Sequence, residues 1–352
     1  MKKKLSALLA AVMTLSLLSG CVKQIPPAAD PAPPQPEPEV VEPAPETPEE
    51  PEAVTPINFA VLSGPTGVGA AKLLSDIEAD STGMTYKASV VANNDEITPA
   101  LVNGTLDIAA VATNVAANLN AKTEGGVQVL CLNTLGVLYI LEKGDTVHSI
   151  ADLKGKTLYA PSNTKGANPE HILNHLLTEN GVEPEEVDIQ WITAQEITVK
   201  MTTEDAGICM LPVPAATAVL VKDPAVREAV SLSKAWEELD KGVLPMGCIV
   251  ARTEWVEENP EGVAHFLQEY EASIAFVADE ANRAEAAEMV AAHGITANAA
   301  IAARAIPQCN LTFVSGEEMK DVLQDYYQIL FQTNPASIGG AMPYDSFYYG
   351  AE

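Results

Sequence analysis

From Ile57 onward, short apolar runs alternate with stretches whose apolar residues recur at helical spacing, the pattern of an α/β fold built on a largely parallel sheet. Residues 57–62, 84–92, 106–112, 127–132 and 137–141 read as strands. Helices open after Ser63-Gly64-Pro65-Thr66-Gly67, after Asn93-Asn94-Asp95 and at Thr113-Asn114. A second series begins at Ser149-Ile150-Ala151-Asp152, which has capping-box spacing, and places strands at 157–160, 187–192 and 206–211. Its helices run through Glu179, across 196–203, and onward from Pro212-Val213-Pro214. After a further strand at 246–250, Pro260 suits the first turn of a long helix with Val263, Phe266, Leu267, Tyr270, Ile274 and Val277 on one face. Two Ala-rich helices follow, the first stopped by Gly294, and a last amphipathic helix covers 316–331.

The two series echo each other. Ile97-Thr98, Leu101, Asp107 and Val115 have counterparts in Ile197-Thr198, Met201, Asp205 and Val213. Together with the matching loops this suggests two lobes of similar topology. Residues 57–145 plus 246–352 are assigned to lobe I and 146–245 to lobe II.

Ahead of Ile57 the pattern changes twice. Lys2, Lys3 and Lys4 precede an apolar run over 5–18, with the charged start of an export signal and too short to count as a spanning helix. The run ends in Leu18-Ser19-Gly20-Cys21, which resembles a lipobox, where bacterial lipoproteins are cleaved before a Cys that carries fatty (palmitate-type) chains. Residues 1–20 are thus expected to be a lipoprotein signal peptide and Cys21 the lipidated residue. Residues 21–56 form a Pro- and Glu-rich segment that cannot bury apolar surface and is expected to be a disordered tether, extended at about 3.1 Å per residue where it is polyproline-like.

Composition follows the same divisions. The chain carries 48 acids against 20 bases, a net charge of -28, and the excess persists beyond residue 57. Clustered Lys and Arg are what hold a phosphate backbone, so nucleic acid is excluded as a partner. A mean hydropathy of +0.08 argues against a membrane bundle.

In open α/β sheets, ligands bind beyond the carboxyl ends of strands, where helix N-termini present unpaired amides. Candidate ligand-binding residues therefore lie in five loops: Ser63, Gly64, Thr66 and Gly67; Asn93 and Asn94; Thr113 and Asn114; Ser162, Asn163, Thr164 and Gly166; and Pro212, Val213 and Thr217. Helix capping alone accounts for such residues singly, whereas five loops on two facing lobes point to a hinged cleft. None of the four Arg, at 227, 252, 283 and 304, falls in these loops, and Lys165 is their one cation. A small anion on helix-terminal amides stays open, as does a neutral ligand stacked on Tyr86, Tyr139 or Trp191; the balance tilts toward a neutral, zwitterionic or cationic solute.

No catalytic residue, metal ligand set or cofactor motif is assigned. His171 and His175 share a helix face but lack the intervening Glu of a zinc protease helix, and are expected on a solvated flank. Cys131, Cys209 and Cys248 lie in apolar strands as small buried hydrophobes, with Cys309 outside them.

Four segments in order carry a wider resemblance: Asp152-Leu153-Lys154-Gly155-Lys156-Thr157, the polar loop ending in Gly166, Gly181-Val182-Glu183-Pro184-Glu185-Glu186-Val187, and Leu211-Pro212-Val213-Pro214. The chain resembles the type II periplasmic binding protein fold, in particular the nitrate, sulfonate and taurine group of ABC-importer solute-binding proteins. Members of that group often have Glu between the two prolines where Val213 stands. The resemblance implies a monomeric, non-enzymatic receptor, lipid-anchored at the extracytoplasmic face of the cell membrane, which closes on a small solute and delivers it to ABC permease subunits. Two alternatives remain: an enzyme of the pyrimidine or menaquinone-precursor type on the same fold, and a sensory lipoprotein presenting its lobes to a protein partner.

Overall fold

The computed structural model describes residues 55–92 and 94–351. The signal peptide, Cys21, the tether up to residue 54 and Asn93 lie outside the described residues. Eleven strands build two sheets: β1 (Ile57–Leu62), β2 (Tyr86–Val91), β3 (Ile108–Ala112), β4 (Val127–Thr134), β5 (Leu138–Lys143), β6 (Thr157–Pro161), β7 (Asp188–Ile192), β8 (Gly207–Pro212), β9 (Val226–Ser231), β10 (Gly247–Arg252) and β11 (Leu311–Val314). The first sheet runs β11-β4-β10-β3-β1-β2 and the second β7-β6-β8-β5-β9.

Burial patterns follow strand position. The central strands β3 and β10 are apolar and almost continuously buried, as a sheet covered on both faces requires. The edge strands β2 and β7 alternate or are only half-buried. Both sheets are mixed. β1 pairs parallel with β2 and β3, and β6 parallel with β7 and β8, while β10 lies antiparallel to β3 and β4, and β5 antiparallel to β8 and β9. Each sheet therefore holds a parallel trio flanked by one reversed strand. The chain crosses between sheets through 135–137 and again through 238–246, and each crossing delivers its next strand in the reversed sense.

This corrects one sequence assignment. The strand expected at 137–141 was grouped with lobe I, but β5 pairs with β8 and β9, so the crossing falls before residue 138 and not near 145. Apolar content alone does not distinguish the two sheets, because β5 is as buried as β4. β9 and β11 were not among the expected strands: β9 interrupts its apolar residues with Arg227, Glu228 and Ser231, and β11 spans only four residues.

The internal echo has a structural counterpart. The helices Asn94–Val102 and Ala194–Thr203 each precede the third strand of a parallel trio and bury Ile97 with Leu101, and Ile197 with Met201. The long helix Pro260–Ala278 buries Val263, Phe266, Tyr270, Ile274 and Val277, with Phe266 edge-on to Phe59 at 5.1 Å and stacked on Tyr270 at 5.5 Å. Ser273 ties this helix to the helix Ala71–Glu78: its hydroxyl donates to Gly69 O at 2.7 Å and accepts from Leu73 N at 3.0 Å. The last helix, Gly316–Thr333, leads to a segment whose Tyr349 N donates to Val129 O at 3.0 Å and whose Phe347 and Tyr348 are buried.

Candidate functional site

A cleft of about 820 Å³ opens where the loops beyond the two parallel trios face each other. Its first side begins at Ser63 and Thr66. Gly64 has φ +118, a conformation L residues rarely adopt, and a Cβ on Gly67 would lie 2.1 Å from Leu62 O. These two glycines make the turn possible; neither lines the cleft. Thr66 lines it and offers its carbonyl to Asn133 Nδ2 at 3.1 Å. From the helix Asn94–Val102 come Asn94, Asp95, Thr98 and Pro99.

The helix Thr113–Lys122 contributes Asn114, Asn118 and Lys122, with Val115 and Leu119 beside them. Residues four apart share a helix face, so the polar three form a strip running down the cleft wall. Thr113 has a different job. Its hydroxyl donates to Pro245 O at 2.9 Å, its N–H to Met246 O at 3.2 Å, and its carbonyl accepts from Tyr327 at 2.7 Å. It fastens the helix start to the second crossing and does not line the cleft.

The second side is built by Asn163, Thr164, Gly166, Ala167, Asn168, Pro169 and Pro212. Thr164 Oγ1 donates to Pro161 O at 2.6 Å, and Gly166, at φ +71, donates its N–H to the Glu170 carboxylate. Buried Asn168 accepts a hydrogen bond from Tyr326 and points its amide at Met246 Sδ, 3.8 Å away, which fixes the cleft floor to the last helix and the second crossing. Ser162 is exposed beside the cleft. Val213 is 0% exposed, its N–H donating to Val137 O at 3.0 Å, and the Val213–Pro214 bond is cis. Thr217 is buried, its hydroxyl donating to Gln308 Oε1 at 3.2 Å.

The cleft thus gathers Ser63, Thr66, Asn94, Asn114, Asn163, Thr164, Gly166 and Pro212 of the predicted residues, and leaves Gly64, Gly67, Thr113, Ser162, Val213 and Thr217 in supporting positions. Sequence reasoning did not find Asn118, Lys122, Asn168, Met246 or Ser337. The first two were within reach, because Asn114, Asn118 and Lys122 are evenly four apart. Ser337 was not, since it arrives from the chain's far end, where Asn118 Nδ2 donates to its carbonyl at 2.5 Å across 219 positions.

Charge in the cleft is sparse. Among the described residues Lys122 is the one cation and Asp95 the one carboxylate that line it, and no Arg does. Lys165 is exposed but outside the lining. Tyr86, Tyr139 and Trp191 are also absent from it, so the stacking face considered for them is not there. Tyr86 instead hydrogen-bonds Glu269, and Tyr139 sits within β5. Three buried side-chain polar atoms of cleft residues have no hydrogen-bond partner among the described residues: Asn94 Oδ1, Asn114 Oδ1 and Ser337 Oγ.

His171 and His175 are buried, which corrects their placement on a solvated flank; His175 lies 5.2 Å from the Trp236 ring. Burial lowers the pKa of both imidazoles, more than neighbouring carboxylates raise it. Among the described residues no three His, Cys, Asp or Glu cluster with metal-binding geometry. Cys131, Cys209, Cys248 and Cys309 are all buried free thiols, and burial pushes Cys209 and Cys309 up to about 12.

Two α/β lobes are thus joined by two crossings, with a cleft at the carboxyl ends of the parallel strands. Residues 126–286 match the family model described as NMT1/THI5 like. The fold is shared with an ABC transporter structure from Parabacteroides distasonis at a TM-score of 0.70 and 24% identity, covering 84% of this chain and 98% of that one. It is also shared with the periplasmic aliphatic sulphonate binding protein SsuA from Escherichia coli, at 0.66 and 13%, covering 83% and 94%. The alkanesulfonate-binding protein SsuA from Xanthomonas axonopodis pv. citri bound to MOPS aligns at 0.61 and 13%, covering 83% and 96%. No curated protein sequence matches the chain. No helix among the described residues is long and apolar enough to cross a membrane.

Proposed function

We propose that this chain is an extracytoplasmic solute-binding protein, held to the cell membrane by lipid on Cys21, that captures a small molecule between two lobes and delivers it to an ABC importer. The observation that carries this reading is the cleft itself: about 820 Å³, apolar in most of its lining, with convergent polar groups supplied from both sheets. The shared fold with transporter binding proteins supports it, and so do the apolar run and Leu18-Ser19-Gly20-Cys21 at the N-terminus. In this reading lobe I comprises 57–137 plus 246–352 and lobe II 138–245, Ser63, Thr66, Asn94 and Asn114 hold the solute from one side, and Asn163, Thr164, Gly166 and Pro212 hold it from the other. Closure is a population shift driven by contacts that only the closed state completes.

Thermal-shift screening of the full chain against a broad panel of small metabolites tests the reading. At least one solute raises the melting temperature, and replacement of either Ser63 and Asn94 or Asn163 and Thr164 by Ala abolishes that rise. A panel in which nothing stabilises the protein overturns it. Intact-mass analysis of membrane-extracted protein checks the anchor: the mature chain begins at Cys21 with added fatty-acyl mass, and Cys21→Ser removes that mass.

A further inference from the structure

The two crossings border a second cavity. Leu135 and Gly136 of the first crossing line a space of about 250 Å³, while Val137 and Leu138 directly after them line the large cleft. In the second crossing Val243 and Leu244 line the small cavity and Met246 the cleft. The two cavities have no lining residue in common, so they meet only through the backbone that joins the sheets. The remaining walls come from different sheets: Asn310 and Thr312 from the start of β11, and Ser233 and Glu237 from the helix Leu232–Glu237, which packs on β5 and β9. Each crossing is also tied to a different sheet. Asn310 Nδ2 donates to Gly136 O and Asn310 O accepts from Leu135 N at 3.0 Å, which holds the first to β11. Trp236 Nε1 donates to Lys241 O at 3.3 Å, which holds the second to the helix on the other sheet. Rotation of one sheet against the other therefore changes the width of this cavity.

Its chemistry is one-sided. Glu237 is the one ionisable group in the lining and makes no ion pair among the described residues. Ser233 Oγ is buried against the bare Cα of Gly136, where a Cβ would lie 1.9 Å away, and has no hydrogen-bond partner among the described residues. Leu135, Val243, Leu244 and Leu311 supply the apolar surface. An anion would meet only repulsion from Glu237, and one carboxylate falls short of the six to eight oxygens that a calcium ion takes. We infer that this cavity is a second binding site, which takes a small primary ammonium with a short aliphatic body and, once filled, fixes the spacing of the two sheets. An ammonium carries three donors and no acceptor, matching the Glu237 carboxylate and the unpaired Ser233 hydroxyl oxygen, while its aliphatic body covers the leucines. A ligand held from both sheets has a different affinity for each arrangement of them, which is the condition for shifting their equilibrium. Linkage makes that effect reciprocal with any solute held in the cleft.

Ligand-detected NMR titration of the full chain with 1-aminobutane hydrochloride, and with 1-butanol as its neutral counterpart, tests the site. The ammonium binds at least about 5-fold more tightly than the alcohol, the scale of an ion pair partly open to water. Glu237→Gln brings that ratio to near one; because Glu237 is exposed, this variant keeps the fold, as its unchanged melting temperature shows. Ser233→Ala weakens ammonium and alcohol alike. Absence of ammonium binding overturns the inference. So does a preference that survives Glu237→Gln, or one that is lost in Asp95→Asn, which would put the amine in the cleft beside its one lining carboxylate. The effect on spacing is read from spin labels on Val102→Cys and Val199→Cys, exposed positions on helices of the two sheets, in a chain with Cys21→Ser and its other four cysteines buried. 1-Aminobutane narrows the distance distribution, and Glu237→Gln removes the narrowing; binding that leaves the distribution unchanged overturns the coupling. None of these outcomes bears on the solute-binding reading, which the metabolite panel tests separately.

Discussion

A Cβ on Gly247 would sit 2.5 Å from Thr66 Cγ2 and 2.6 Å from Asn133 Oδ1, so the strand that returns from the second crossing passes the cleft floor with no room for a side chain. Gly247→Ala is expected to destabilise by about 1–3 kcal/mol, the usual cost of overpacking, seen as a lower denaturation midpoint at unchanged slope. Glu142 is a second residue whose environment sets a measurable property. Its carboxylate is buried, which raises its pKa, but Thr146 N and Oγ1, Val147 N and Arg227 all donate to it and bring the net value below the usual 4.5. A carboxyl depressed on folding contributes stability that is complete above its unfolded pKa and is lost as pH falls through the folded one. Melting temperature should therefore decline below about pH 4.5, and Glu142→Gln should lower neutral-pH stability by about 1–3 kcal/mol while flattening that decline. Neither residue shows its role in sequence, because both depend on partners from other elements.

At the scale of elements, capping and periodicity were largely legible. The capping box at Ser149 forms, with Ser149 N and Oγ both donating to Asp152 Oδ2, and Pro260 opens the long helix as its spacing predicted. What holds elements to each other was not legible. Ser273 links the helices Ala71–Glu78 and Pro260–Ala278 across 200 positions, and Ser273→Ala strands Leu73 N and Gly69 O in the interior. The expected loss is about 1–3 kcal/mol by chemical denaturation, with Ser273→Thr losing less because it keeps the hydroxyl. The Asn114, Asn118 and Lys122 strip belongs to this scale as well: its spacing was visible, but that this face borders the cleft was not, because the opposing residues come from distant segments.

For the whole molecule, two lobes connected by two crossings make closure the expected response to ligand. Small-angle scattering of the full chain should show a smaller radius of gyration once a stabilising solute is added, and Asn163→Ala with Thr164→Ala should weaken both the affinity and the contraction. The region around the crossings is tight on one side: a Cβ on Gly136 would lie 1.9 Å from Ser233 Oγ, and Asn310 Nδ2 donates to Gly136 O. Gly136→Ala is expected to change the open-to-closed balance, read as altered affinity with cleft residues untouched.

The sequence by itself determined the alternation of strands and helices, the paired topology and the five loops, because periodicity, caps and turn residues act within a few positions of one another. It also determined the acidic balance and the scarcity of Arg. Tertiary structure alone decided that β5 joins the second sheet, that Gly64, Gly67, Thr113 and Thr217 support the cleft instead of lining it, and that Ser337 completes its wall. The physical reason is the same in each case. Which atoms remain without a partner is settled only when segments up to 219 positions apart come into contact, and a binding site consists of the groups left unpaired.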